Sequence, residues 1–117
     1  MIDRNVQEAT NETIFRAINE WAEQSNDDRM GLDRPMDTLL CECSDRRCTQ
    51  PIQISRTEYE EIRANPVRFA IALNHENPEI DRLLHENVRF ATVEKFYGVG
   101  AAIAKATDPR RFTQLDA

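Results

Sequence analysis

The sequence has little glycine, little histidine and no long apolar run, and each shortage excludes a class of function. No stretch of its 117 residues approaches the ~20 consecutive apolar residues that a membrane-spanning helix needs. Gly98 and Gly100 lack the third glycine and the sequence context of a dinucleotide-binding loop. Two histidines leave little general-base capacity near neutral pH if one of them is a metal ligand. We expect no catalytic residues and no residues that bind an organic cofactor, and the sequence favours a protein that is not an enzyme without deciding the question.

Acidic residues outnumber basic ones, and the excess lies in the first third of the chain. The formal net charge is −6, and residues 1–37, with nine acids and four bases, account for −5 of it. Phosphate binding requires clustered lysine and arginine, so this balance argues against a nucleic-acid platform over the whole surface. The first residues lack the basic and then apolar layout of a signal peptide, and we therefore expect a cytoplasmic protein that does not bind membranes.

The apolar pattern divides the chain into four segments. Residues 1–24 form an amphipathic helix, predicted over 5–23 with a capping box of Asn5 and Glu8. Loop-forming residues at 25–37 predict a linker, residues 38–110 a small domain, and 111–117 a tail. The helix carries one stripe at helical spacing: Val6, Thr10, Ile14, Ala17, Ile18 and Trp21. Phe15 and Trp21 are most simply core anchors, but a loosely docked helix would instead offer a protein partner the residues Ile14, Phe15, Ile18 and Trp21.

Residues 38–110 alternate between strand and helix patterns. Strands are predicted at 38–44, 51–55, 67–73 and 88–96, and helices at 56–64, 77–86 and 98–107. Ser55 and Glu58 make a capping box, and Asn77-Pro78-Glu79 is typical of a helix start. This order predicts an α+β fold, in which the N-terminal helix is followed by a small, mostly antiparallel sheet with a cysteine-bearing hairpin and two or three helices.

All three cysteines lie within eight residues, on the predicted hairpin. Cys41 and Cys43 are two positions apart on a strand, so their thiols project to one side while Glu42 points to the other. Cys48 follows after a polar turn that returns a third sulfur toward the first two. An odd number of cysteines, with no secretion signal, argues against a disulfide framework and favours a metal site.

A structural zinc ion requires four ligands, and the hairpin supplies three. His75 lies in a loop after the third predicted strand, whereas His85 lies in a predicted helix. Since a loop residue can rotate toward a metal, we predict a zinc site formed by Cys41, Cys43, Cys48 and His75. Such a site would tie the hairpin to the rest of the sheet and contribute to the free energy of folding. The sequence thus favours a non-catalytic interaction or regulatory module.

Other interpretations of the cysteines stay open. Reduced thiols can pack as small apolar side chains without a metal. Thiol redox chemistry or an iron–sulfur centre would use the same residues, but nearby Glu42 and Asp45 oppose the low thiol pKa that reactive cysteines need. A nucleic-acid-binding knuckle would place four arginines against phosphate. They are Arg46, Arg47, Arg56 and Arg63.

Several short motifs surround the candidate ligands. They are Leu40-Cys41-Glu42-Cys43, Cys48-Thr49-Gln50-Pro51, Glu58-Tyr59-Glu60, Arg68-Phe69, His75-Glu76, Pro78-Glu79, Val93-Glu94-Lys95 and Thr107-Asp108-Pro109-Arg110. Together, over about residues 38–110, they resemble a group of small bacterial, mostly actinobacterial, proteins. The resemblance implies that His75 accompanies the three cysteines in a shared site, and it implies no activity. Leu73-Asn74 stands where that group tends to have Pro-Gly.

Overall fold

The computed structural model describes residues 4–30, 37–45, 47–95 and 99–110, so the predicted tail at 111–117 lies outside it. The elements are α1 (Arg4–Met30), β1 (Asp37–Leu40), β2 (Pro51–Ile54), α2 (Arg56–Arg63), β3 (Arg68–Ile71), β4 (Asp81–Glu86), β5 (Ala91–Lys95) and α3 (Val99–Ala106). They form an α+β fold with an N-terminal helix, two small antiparallel sheets and further helices, which confirms the predicted fold class.

The two sheets are a hairpin and a three-stranded sheet. β1 pairs with β2 so that Leu40 lies opposite Pro51, and the second sheet has the order β3-β5-β4. Ile52 and Ile54 are buried while Pro51 and Gln53 are exposed, as the alternating pattern predicts. The backbone N–H of Glu42 donates to the carbonyl of Ala70 at 2.8 Å, and this bond joins the loop of the hairpin to β3.

The apolar core draws on both sheets, α2 and α3. The predicted capping box of α2 is confirmed, because the Ser55 hydroxyl accepts from the Glu58 N–H at 3.1 Å and the Glu58 carboxylate accepts from the Ser55 N–H at 2.8 Å. This start orients Tyr59 and Ile62 into the core. The buried core members are Leu39, Cys41, Cys43, Ile52, Ile54, Tyr59, Ile62, Phe69, Ala70, Ile71, Ala72, Phe90, Ala91, Val93 and Ala104.

The helix predicted at 77–86 is wrong, because residues Asp81–Glu86 form strand β4 at the edge of the second sheet. The start signal is real but local: the carbonyl of Asn77 accepts from the N–H groups of Ile80 and Asp81, which closes one turn. The chain then pairs with β5, and Asp81 forms a buried ion pair with Lys95 at 2.9 Å. Pairing with β5 outweighs the local helix signal because it satisfies both the backbone and this buried charge.

Helix α1 is longer than predicted. It begins at Arg4, so Asn5 lies inside it and cannot be its N-cap, and it continues through residues 25–30 of the predicted linker. Residues 4–30 contain no glycine or proline, and Gly31 is the first of either in the chain. Nothing in this stretch therefore stops the helix. Across the described ranges, none of the helices combines the length and apolar content needed to cross a bilayer.

The orientation of α1 corrects the prediction of apolar core anchors. Trp21 is 70% exposed, Ile14 53% and Ile18 45%, while Phe15 is half-buried, so the apolar stripe faces outward. The opposite face of α1 is polar and is turned toward the body of the fold, that is, the two sheets with α2 and α3. Its buried members are Asn11, Glu12, Thr13, Arg16, Asn19 and Glu23. Charged and amide groups of this face find partners on the body, and these polar contacts determine which side of the helix is buried.

Candidate metal centre

The loop between β1 and β2 carries the three cysteines. The sequence predicts a strand at 38–44 that contains Cys41 and Cys43. In the structure β1 ends at Leu40, so both cysteines follow the strand. The Cys41 N–H still donates to the Gln50 carbonyl at 2.9 Å and prolongs the hairpin by one bond. At the tip, the Cys48 N–H donates to the Asp45 carbonyl at 3.0 Å. This turn reverses the chain and returns Cys48 toward the other two cysteines.

His75 reaches the cysteines from the loop that follows β3. Its N–H donates to the Ala72 carbonyl at 3.2 Å, which closes a turn, and Asn74 inside this turn has a φ of 67°. Asparagine tolerates this left-handed conformation better than most residues, so the turn forms without a glycine. The turn directs the imidazole to the hairpin loop, where Nδ1 lies 3.5 Å from the Cys41 sulfur and 3.6 Å from the Cys48 sulfur.

The structure brings all four predicted ligands together in a group that can hold a metal ion. Their ligand atoms lie within 4.8 Å of one another. Cys41 and Cys43 are buried, at 1% and 3% exposure, whereas Cys48 and His75 are half-buried. The cluster is therefore covered on the side of the core and reachable from the side of Cys48 and His75.

The separations agree with the edges of a tetrahedral site. With metal–sulfur bonds of about 2.3 Å and metal–nitrogen bonds of about 2.0 Å, tetrahedral angles place sulfur and nitrogen about 3.5 Å apart. Nδ1 of His75 has this spacing to two sulfurs at once. A neutral imidazole nitrogen carries either one proton or one in-plane lone pair, so each of the two contacts can be at most one half of a shared hydrogen bond. A metal ion bound at the centre of the four donor atoms would account for both contacts.

The cysteine pKa values show why the group favours a cation. The hydrogen bond from Cys41, with smaller contributions from the Asp45 N–H and His75, lowers the pKa of Cys43 to about 5 against the opposing effect of burial. The same bond to Cys43, together with burial, raises the pKa of Cys41, and burial raises the pKa of Cys48. One thiolate forms readily, and its charge opposes the next. A bound cation removes this opposition, because metal coordination deprotonates thiols.

Glu42, between two candidate ligands, has a role that the sequence only half predicts. Its side chain points away from the sulfurs, as expected, and is buried with an exposure of 0%. The carboxylate accepts hydrogen bonds from Asn19 Nδ2 and the Tyr59 hydroxyl, both at 2.8 Å, and from the Ala70 N–H at 2.9 Å. Burial raises its pKa, and these donors oppose the rise. Glu42 thus anchors the back of the loop to α1, α2 and β3.

The remaining sequence candidates lie elsewhere. His85 is exposed on β4 and does not belong to the cluster. The knuckle of arginines is not formed as predicted: Arg63 has an exposure of 0% and ion-pairs with Glu20 and Asp108, so it cannot contact phosphate. Arg56 is partly exposed, 3.9 Å from Glu23, and only Arg47 of the described three is exposed. Arg46 lies outside the described residues.

Comparison with known proteins adds no relative to these observations, since no family model, no curated protein and no solved structure matches the chain.

Proposed function

We propose that Cys41, Cys43, Cys48 and His75 bind one zinc ion and that the ion has a structural role in a small, non-catalytic interaction or regulatory module of the cytoplasm. The observation that carries the proposal is the position of His75 Nδ1, at tetrahedral spacing from two sulfurs of the other loop. The ion joins the loop of the hairpin to the loop after β3. In a chain of 117 residues such a link adds to a limited apolar core.

The ligand set itself supports a structural role. Three thiolates and one imidazole complete a tetrahedron and leave no open position for water or substrate, whereas catalytic zinc keeps one. Sulfur and nitrogen donors in this geometry select zinc or an iron–sulfur centre over magnesium or calcium, which prefer oxygen. Zinc is favoured because iron–sulfur clusters are usually held by four cysteines.

Metal analysis of the purified protein beside Cys43→Ser tests this function. The wild type is expected to contain one zinc per chain, to be colourless, and to give the intense visible bands of a tetrahedral thiolate site when cobalt replaces zinc. Cys43→Ser is expected to lose the metal and several kcal/mol of stability. Ser44→Ala, a neighbouring change outside the ligand set, controls for disturbance of the loop. Wild-type protein that contains well below one zinc per chain, that loses no stability when the metal is chelated, or that is coloured by iron as isolated, contradicts the proposal.

The outward face of α1 supports a second part of the same proposal, a contact surface for a protein partner. Ile14, Phe15, Ile18 and Trp21 lie on or beside this face, and Ile14, Ile18 and Trp21 are 53%, 45% and 70% exposed. A cluster of exposed apolar side chains often marks an interaction site on a monomer. The segment 1–37 has a net charge of −5. The acidic side chains of α1 that the structure describes are buried or half-buried, and Glu12 and Glu20 are ion-paired with the rest of the fold. The outward face therefore favours a partner with an apolar contact surface.

A double substitution in the stripe tests the partner surface. Proteins cross-linked by the wild type but not by Ile18→Ser/Trp21→Ser are candidates, and Leu83→Ser on the exposed edge strand β4 is the matched control. The partner is expected to bind purified wild type with an affinity that changes little with salt, because the exposed side chains of the stripe are apolar. A partner that binds the double variant and the wild type equally removes α1 as the contact surface.

A further inference from the structure

The contact of α1 with the body is almost free of apolar burial. Among the α1 side chains that the structure describes, at positions 7–8 and 10–23, every buried one is polar, and Ala22 is the only apolar one packed against the core. Apolar contacts tolerate small displacements, but hydrogen bonds weaken steeply when distance or angle changes. The position of α1 therefore depends on how accurately the body presents its donors and acceptors.

Several of these hydrogen-bonding groups lie on the back of the cysteine loop. Asn19 clamps the backbone of Leu40, accepting from its N–H at 2.9 Å and donating to its carbonyl at 2.8 Å, and also donates to Glu42. Asn11 donates to the Ser44 carbonyl at 2.9 Å. Positions 40, 42 and 44 thus bind α1, while the alternate positions 41 and 43 supply sulfur to the metal centre.

The loop after β3, which carries His75, also binds α1. Asn77, two residues after His75, donates through Nδ2 to the Glu8 carboxylate at 2.7 Å. The same Nδ2 lies 3.4 Å from the Ser44 hydroxyl of the cysteine loop. Helix α1 therefore lies across both loops, and these are the two loops that the four candidate ligands join.

We infer that occupation of the metal centre controls how firmly α1 is docked, an inference that rests on the proposed zinc site. The ion fixes the two loops relative to each other, and this fixes the acceptors and donors that hold α1 at Glu8, Asn11 and Asn19. When the ion leaves, the two loops lose this link and the hydrogen bonds weaken together. Because Ile18 of the outward stripe is next to Asn19 in the chain, the metal also controls how firmly that stripe is held in place.

Other contacts of α1 limit the size of this response. Arg16 donates to the carbonyls of Pro66 at 2.6 Å and Ala104 at 2.8 Å, and Glu12 ion-pairs with Lys95. Neither set involves the two loops. In the metal-free protein, α1 is therefore expected to open more often but not to detach completely. The sheet β3-β5-β4 is expected to stay formed, because no buried apolar residue of the described part of α1 belongs to its core.

Hydrogen exchange on the full chain, zinc-loaded and after chelation, tests this inference. Amides of α1 are expected to exchange at least about tenfold faster without zinc, while those of β3 and β5 keep their protection. Trypsin reports the same event after Arg16, which has an exposure of 0% and becomes accessible only when the helix opens. Equal protection of α1 in both states overturns the inference, and so does loss of protection throughout the chain, which would make the ion a global stabiliser only.

Asn19→Ala separates the linkage from the metal site. All four ligands remain, so the variant is expected to keep one zinc per chain while α1 exchanges as in the chelated wild type. Ile18→Ala, at the neighbouring outward position, is expected to keep both the zinc and the protection. An Asn19→Ala protein whose α1 stays protected contradicts the proposed linkage. Absence of zinc from the wild type would refute the metal site, whereas one zinc with an unresponsive α1 refutes only the linkage.

Discussion

At the scale of single residues, the two histidines differ in everything that matters for a metal site. His75 is half-buried, follows a tight turn and directs Nδ1 at two sulfurs. His85 is exposed on an edge strand with register irregularity beside it. Of the two, His75 is therefore the one placed to act as a metal ligand, whereas His85 is an ordinary surface group.

Alanine at each histidine gives a matched pair of variants. His75→Ala is expected to lose zinc and several kcal/mol of stability, because the tetrahedron loses a ligand and the two loops lose their link. His85→Ala is expected to keep its zinc and to change stability by about 0.5 kcal/mol at most, as surface changes usually do. Zinc content and urea denaturation measure both effects. The assignment of the fourth ligand fails if the two variants behave alike.

The residues also show what local sequence can and cannot predict. The convergence of Cys41 and Cys43, and the opposite direction of Glu42, follow from alternation over three neighbours. The donors that surround the Glu42 carboxylate come from Asn19, Tyr59 and Ala70, which are 17 to 28 positions away. No local pattern indicates which distant groups will satisfy a buried charge, so this part of the site required the structure.

At the scale of elements, the start of α2 combines a helix cap with an ion pair. The Glu58 carboxylate caps the Ser55 N–H and accepts from both terminal nitrogens of Arg89, at 2.9 and 2.6 Å. The hydrogen bonds from Arg89, followed by those from Ser55, hold the pKa of Glu58 at about 2 instead of 4.5. The first turn of α2 is thus tied to the turn before β5.

This pKa shift predicts a pH dependence with a defined direction. Because the folded-state pKa is lowered, the stabilisation by ionised Glu58 is present above pH 4.5 and is lost as the pH falls toward about 2. The difference in unfolding free energy between wild type and Glu58→Gln should therefore shrink over this window and be constant above it. Denaturation curves at several pH values measure it. A difference that is the same at both ends of the window contradicts the assigned role.

The outward stripe of α1 makes a prediction about stability as well as binding. Trp21→Ser is expected to change the unfolding free energy by about 0.5 kcal/mol at most, since the ring is already 70% exposed. Phe69→Ala, which removes a ring with an exposure of 0%, is expected to cost about 3–5 kcal/mol. Thermal or chemical denaturation compares the two. A large loss in Trp21→Ser would show that the stripe packs against the body.

Two elements show why the sequence predicted the fold class better than the details. The helix start at Asn77 is a local signal and forms its turn, but pairing with β5 determines that the next residues form a strand. Likewise the periodicity of α1 identifies a helix correctly, yet not which side is buried. Arg16 finds its acceptors 50 and 88 positions later in the chain. Such long-range polar contacts outweigh the usual preference for burying the apolar side.

At the scale of the whole molecule, the proposed zinc makes stability a function of metal concentration. A ligand that binds only the folded chain stabilises it by mass action, by about 1.4 kcal/mol for each tenfold rise in free zinc above the dissociation constant. Unfolding measured in zinc-buffered solutions should follow this slope. His75→Ala should show no such dependence. A wild type whose unfolding is independent of zinc over this range would contradict a native-state site.

The polar seat of α1 has a consequence for biosynthesis. Helix α1 comes earlier in the chain than the residues that hold it in the described structure. Translation makes it before Asn77, which donates to Glu8, before Lys95, which pairs with Glu12, and before Ala104, whose carbonyl accepts from Arg16. An isolated helix is marginally stable in water, so the nascent segment waits without a docking site while most of the chain emerges from the ribosome. Docking of α1 through Arg16 therefore cannot be completed until the chain has been made as far as Ala104, so a contact of the first helix is among the last to form.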